Sequence, residues 1–136
     1  LQFITGDLIL GGFRPAGTPK RRIMSGLTTH VLDTMHGRPA AGVSVRLLRG
    51  GDVLAATTTN ADGRCDEPLL SEETMKAGAY RLEFGVGAYY RGRGAALAEP
   101  AFLEVVAIEF GIADAAAHYH VPLLVSPFGY STYRGS

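Results

Sequence analysis

His118-Tyr119-His120-Val121-Pro122-Leu123-Leu124-Val125, HYHVPLLV, decides the fold class. In an extended chain Tyr119, Val121, Leu123 and Val125 fall on one face, and His118, His120, Pro122 and Leu124 on the other. An apolar row of period two with β-branched members marks a strand that buries one side. Ser126-Pro127 breaks the pattern, and FGYSTY, 128–133, reads as one more strand leading into YRGS, 133–136.

The same period recurs outward from this stretch. In LTTHVLD, 27–33, Leu27, Thr29 and Val31 share one face while Thr28, His30 and Leu32 share the other. VSVRLLR, 43–49, VLAATTTN, 53–60, and AYRLEF, 79–84, alternate likewise. AFLEVVAIEF, 101–110, is long enough for a helix, but its Phe, Val and Ile content favours a strand. HGRPAAG, 36–42, Gly50-Gly51-Asp52 and Asn60-Ala61-Asp62-Gly63 are turn signals. SEETMKAG, 71–78, opens like a capped helix of a turn or two, and VGAYYRGRGAAL, 86–97, has room for a short helix that its glycines weaken. Seven or eight short strands at this spacing define an all-β fold, an antiparallel β-sandwich. Pro122 lies inside one of those strands and lacks a ladder N–H, so a bulge or a bond-free position is expected there.

A chain of 136 residues is one domain by length. Thirteen basic and thirteen acidic residues cancel, which gives no field to attract nucleic acid or an acidic membrane. No apolar run approaches the ~18 residues of a membrane span. The lone cysteine, Cys65, rules out an internal disulfide framework. Residues 1–24 have no clear periodicity, and their basic run at Lys20, Arg21 and Arg22 follows the apolar part, the reverse of a secretory leader. They are expected to be an N-terminal extension without chemistry, flexible or foreign to the fold, with the working domain at 25–136.

Candidate chemistry gathers on the polar strand faces. His30 and His120 both point away from the apolar rows. His118 and His120 form a His-x-His pair of the kind zinc uses, but no cysteine cluster supplies further ligands and no metal is expected. Cys65, in GRCDEP, suits a small buried side chain better than a nucleophile. The G-x-S-x-G elbow is absent, and RGRG, 91–94, does not follow a strand and open a helix as a dinucleotide loop does. Arg64 follows the Asp62-Gly63 turn, and its planar fork can hold a carbonyl or carboxylate by two hydrogen bonds. His36 lies in a loop without distinguishing context.

LTTHVLDTMHGRPAAGVSVRL (27–47), TNADGR (59–64) and HYHVPLLVSPFGYSTYRGS (118–136) together resemble the transthyretin-related 5-hydroxyisourate hydrolases, whose signature is the terminal YRGS. The resemblance implies a transthyretin-like antiparallel sandwich of two four-stranded sheets with one short helix. It implies His30, Arg64, His120 and Ser136 as catalytic residues, with His30, Arg64 and Tyr133 contacting substrate; His118 and His36 are not carried over. It further implies 5-hydroxyisourate as substrate, no cofactor, no metal, and no nucleic-acid or membrane partner. The expected assembly is a homotetramer, a dimer of dimers whose last strands pair edge to edge while an outer sheet face lines a channel. Family members occur in cytosol, periplasm and peroxisome, and a cytoplasmic location is the expectation. The hormone carrier transthyretin shares the sandwich but lacks the histidine, arginine, histidine and YRGS set. The rival expectation is therefore a transthyretin-like small-ligand binder without turnover.

Overall fold

The computed structural model describes residues 25–135; the extension at 1–24 and Ser136 lie outside the described residues. In chain order the elements are β1 (Gly26–Asp33), β2 (Arg38–Pro39), β3 (Ser44–Arg49), β4 (Asp52–Thr58), β5 (Gly78–Phe84), α1 (Val86–Gly92), β6 (Val106–Ile112), β7 (His118–Ser126) and β8 (Gly129–Thr132). They form two four-stranded sheets, β2-β1-β7-β8 and β4-β3-β5-β6. The apolar rows legible in the sequence make the layer between them. Leu27, Val31, Leu123 and Val125 from the first sheet and Val45, Leu47, Leu82, Phe84 and Val106 from the second are all buried.

The sandwich is as expected, with one pairing of different sense. β1 and β7 run parallel in an unbroken register from Gly26↔His118 to Asp33↔Val125. Hydrophobic alternation could not reveal this, because side chains alternate alike in parallel and antiparallel strands. One element expectation also changes, and another is met at its lower bound. The strand expected at 101–110 begins only at Val106. Before it, Glu104 ion-pairs with Arg91 and accepts the Ala101 N–H at 2.6 Å, which folds this segment over α1 instead of into the sheet. The segment 71–78 is a single turn, with Ser71 N–H donating to Thr74 Oγ1 at 2.8 Å and Met75 N–H to Ser71 O at 3.0 Å. So short a stretch gains too few hydrogen bonds to offset helix nucleation.

Pro122 falls at a bond-free position, and the β7 register shows no bulge. Thr34 N–H donates to Val125 O and Gly135 N–H to His120 O. Odd-numbered β7 residues therefore turn their backbone toward β1, and even-numbered ones toward β8. The absent N–H of Pro122 would have pointed at Tyr133, the first residue beyond β8. Its carbonyl is occupied by Thr132 Oγ1 at 2.7 Å.

Helix α1 is anchored by a buried carboxylate. Asp33, 1% exposed, accepts hydrogen bonds from Tyr89 Oη and Tyr90 Oη, each at 2.7 Å, and contacts His36 Nδ1 at 2.6 Å. Burial alone would push its carboxyl upward, but the His36, Tyr89 and Tyr90 hydrogen bonds outweigh burial and bring it down to about 2. This gives His36 the context that the sequence withheld.

Candidate active site

Two loops and two strands assemble the site on the outer face of the first sheet. Even-numbered β1 residues turn their backbone to β7, so odd-numbered ones turn it the other way. Val31 N–H there takes Gly63 O at 2.8 Å, and Leu27 N–H takes Leu70 O at 3.0 Å. The segment 63–70 thus lies along β1 and brings Arg64 opposite His30 in an antiparallel bridge. Bridge partners share a face, so Arg64 stands beside His30. On the other flank Thr28 pairs with His120 and His30 with Pro122. His120 in turn bridges Gly135. Arg64, His30, Thr28 and His120 therefore occupy one face, brought together from three distant parts of the chain.

Local chemistry fixes each of these pieces. Asn60 Oδ1 accepts the N–H groups of Asp62 at 2.9 Å and Arg64 at 3.2 Å, while Asn60 N–H donates to Arg64 O at 2.7 Å. Gly63 takes φ +75°, and a Cβ there would stand 2.4 Å from Val31 O, so only glycine fits where the loop meets β1. Gly135 plays the same part at the far end, because a Cβ there would stand 2.7 Å from His120 Cδ2.

Thr28, Thr29, Arg64, Cys65, Glu67, His118 and His120 line a cleft of about 180 Å³. Both histidines at its heart are tied to one hydroxyl: Thr28 Oγ1 lies 2.8 Å from His120 Nδ1 and 3.3 Å from His118 Nε2. Burial, with Asp66 adding to it, pushes the Cys65 thiol up, so the sulfur is held as a neutral thiol and not as a nucleophilic thiolate.

The structure brings the expected residues together in part. Arg64 and His120 share the cleft. His30 is buried at 5% exposure beside it and joins through its backbone bridge to Arg64. Tyr133 instead lines a second groove of about 220 Å³ with Thr132, Arg134, Ile108 and Tyr119. Arg134 lies over the Tyr119 ring at 3.9 Å and donates to His118 O at 3.1 Å, which ties the chain's end to β7. Ser136 lies outside the described residues, one position beyond the Gly135 that pairs with His120. The sequence reading weighed His118 only as half of a metal pair and set it aside, and it gave Thr28 and Glu67 no role. The strand faces of Thr28 and His118 were legible, but only the parallel register sets Thr28 beside His120.

The HIUase/Transthyretin family model matches residues 27–135. The 5-hydroxyisourate hydrolase of Pseudomonas aeruginosa is 55% identical over 117 residues, covering 83% of this chain and 93% of that one. Among solved structures, Klebsiella pneumoniae 5-hydroxyisourate hydrolase is 41% identical with TM-score 0.71, over 83% of this chain and 100% of that one. Sea bream transthyretin in complex with thyroxine is 31% identical with TM-score 0.69, over 79% and 92%. The chain belongs to the HIUase/Transthyretin family.

Proposed function

We propose that this chain is an enzyme that hydrolyses 5-hydroxyisourate to 2-oxo-4-hydroxy-4-carboxy-5-ureidoimidazoline, a step of urate degradation. The observation that carries this reading is the meeting of Arg64 and His120 in one cleft, with His30 bridged to Arg64 beside it. Kinship at 55% identity to a named hydrolase supports it.

Water attacks the C6 carbonyl, the N1–C6 bond breaks, and a carboxylate forms. Neutral imidazole suits removal of the water proton and its return to the leaving nitrogen, since its ordinary pKa of ~6.5 lies near neutrality. Arg64, always charged, clamps the urate-like carbonyls and the negative charge that develops on oxygen. Tyr133 contacts the ring edge, and Ser136 orients a histidine. No covalent intermediate is required.

The assembly we propose is a homotetramer. β8 is exposed along its whole length, and Phe128, Tyr130 and Tyr133 are exposed around it. Such an edge invites pairing with a second copy. That pairing would also bring Tyr133, which lies in a different groove from His120 within one chain, toward a channel built by several copies.

The test is decay of freshly generated 5-hydroxyisourate, followed by absorbance. Wild type accelerates it, and His120→Ala loses roughly 10²-fold or more of that rate while its melting temperature stays near wild type. Stoichiometric binding without turnover would overturn the reading in favour of a carrier.

A further inference from the structure

The proposed hydrolysis takes a proton from water and later gives one to the leaving nitrogen. Beside His120 the cleft holds a second imidazole, His118, that this chemistry has not yet used. Thr28 Oγ1 sits between His120 Nδ1 at 2.8 Å and His118 Nε2 at 3.3 Å. The register explains the arrangement. Thr28 pairs with His120, and the residue opposite His118 is Gly26, which has no side chain. Thr28 is thus the hydroxyl that both rings reach.

We propose that His118, Thr28 and His120 form a proton relay in which His118 stores the water proton until the leaving nitrogen takes it. The proposal rests on the hydrolase reading above, with His120 as the base. A hydroxyl carries one proton, so it donates to one ring and accepts from the other. With His120 Nε2 as the basic atom, His120 bears its proton on Nδ1 and donates it to Thr28 Oγ1. Thr28 then donates to His118 Nε2, and His118 bears its own proton on Nδ1.

As the water oxygen bonds to the carbonyl carbon, its proton passes to His120 Nε2. The Nδ1 proton moves to Thr28 Oγ1, and the hydroxyl's original proton moves to His118 Nε2. The positive charge now rests on His118, which is half-buried, and not on His120, which is 8% exposed. This matters because the Arg64 guanidinium lines the same cleft, and a second cation on a buried ring beside it is disfavoured by repulsion and desolvation alike. Glu67, the other charged group among the described residues lining the cleft, has the sign that favours a protonated imidazole, and Cys65 stays neutral. When the C–N bond breaks, its electron pair goes to nitrogen and all three protons step back. His118 Nε2 returns one to Thr28, Thr28 returns one to His120 Nδ1, and His120 Nε2 protonates the leaving nitrogen. The rings are then ready for another cycle.

The experiment compares wild type, Thr28→Val, Thr28→Ser and His118→Gln in the 5-hydroxyisourate assay, and reads ring protonation by histidine nitrogen NMR of the substrate-free protein. Valine keeps the β-branched shape and removes the hydroxyl; serine keeps the hydroxyl. The relay predicts that Thr28→Val and His118→Gln lower kcat roughly tenfold or more with KM within about twofold, and that Thr28→Ser restores most of the rate. It also predicts Nδ1–H forms of both His118 and His120. Wild-type turnover matched by Thr28→Val, or by His118→Gln should the valine variant not fold, overturns the relay and leaves the hydrolase reading intact. A wild type without turnover overturns the hydrolase reading instead. The NMR spectrum then still judges the arrangement, and an Nε2–H form of His118 would overturn it.

Discussion

Gly135 carries hydrogen where any other residue would set a carbon 2.7 Å from His120 Cδ2. At the scale of single residues, this close approach is the constraint that bears directly on the His120 ring. The His120 ring is held at Nδ1 by Thr28, so it cannot swing aside without losing that bond. Gly135→Ala is expected to lower turnover of 5-hydroxyisourate roughly 10²-fold, the cost of misplacing a reacting group by about 1 Å. Urea unfolding of the same variant should stay within about 1 kcal/mol of wild type, because the backbone there is near the chain's end and packs little core. Wild-type turnover in Gly135→Ala would show that the ring has more freedom than the contact allows. The glycine of YRGS was legible as part of a family signature, but its reason was not, because nothing in four consecutive letters says which ring lies above them.

At the scale of elements, the seven-residue helix α1 has no side-chain cap and no acidic residue in its first turn. A helix this short is not stable by its own hydrogen bonds. Its place is fixed by Tyr89 and Tyr90, whose hydroxyls reach Asp33 at the end of β1. Tyr90→Phe should cost about 1–3 kcal/mol in urea unfolding, since it strips a donor from a buried carboxylate. A loss below a few tenths of a kcal/mol would mean that ring packing alone holds the helix. The sequence offered room for this helix within 86–97 but not its anchor, because the partners lie 56 and 57 positions apart. The strands were more legible. Their period is local, whereas the single turn at 71–78 and the overextended strand at 101–110 both turned on side chains reaching nearby backbone or across to α1.

At the scale of the whole molecule, two expectations follow. The first concerns pH. The Asp33 carboxyl lies at about 2 when folded, against 3.8 ordinarily. Its contribution, about 2 kcal/mol, is full above pH ~4 and is lost as pH falls through ~2. The tyrosine partners act with opposite sign. Burial first, then the Asp33 hydrogen bond, pushes Tyr89 up to about 12, so its share is full below pH ~10 and disappears as pH rises through ~12. Carboxyl NMR titration should find an Asp33 midpoint near 2; an ordinary midpoint would remove this source of acid sensitivity. The second concerns assembly. In the β7–β8 register, Leu124 and Ser131 face each other through backbone bonds, so Tyr130 and Thr132 turn their N–H groups to the open edge. Tyr130→Pro removes one outward donor without touching the β7 ladder. If edge pairing builds the proposed tetramer, this variant should sediment as a smaller species than wild type and lose turnover; sedimentation unchanged from wild type would show that β8 is not a joint.

Period-two rows, turn residues and a charge balance of zero were enough for the sequence to determine a single sandwich with histidines and Arg64 outside its core. Those signals are local or compositional, and they survive without knowledge of which strand neighbours which. Tertiary structure alone decided that β7 lies parallel to β1, that the 63–70 segment runs along the other flank, and that Thr28 joins two imidazoles. The physical reason is that strand alternation fixes which face a side chain takes but not its position along the neighbouring strand. That position comes from backbone hydrogen bonds between segments some ninety residues apart.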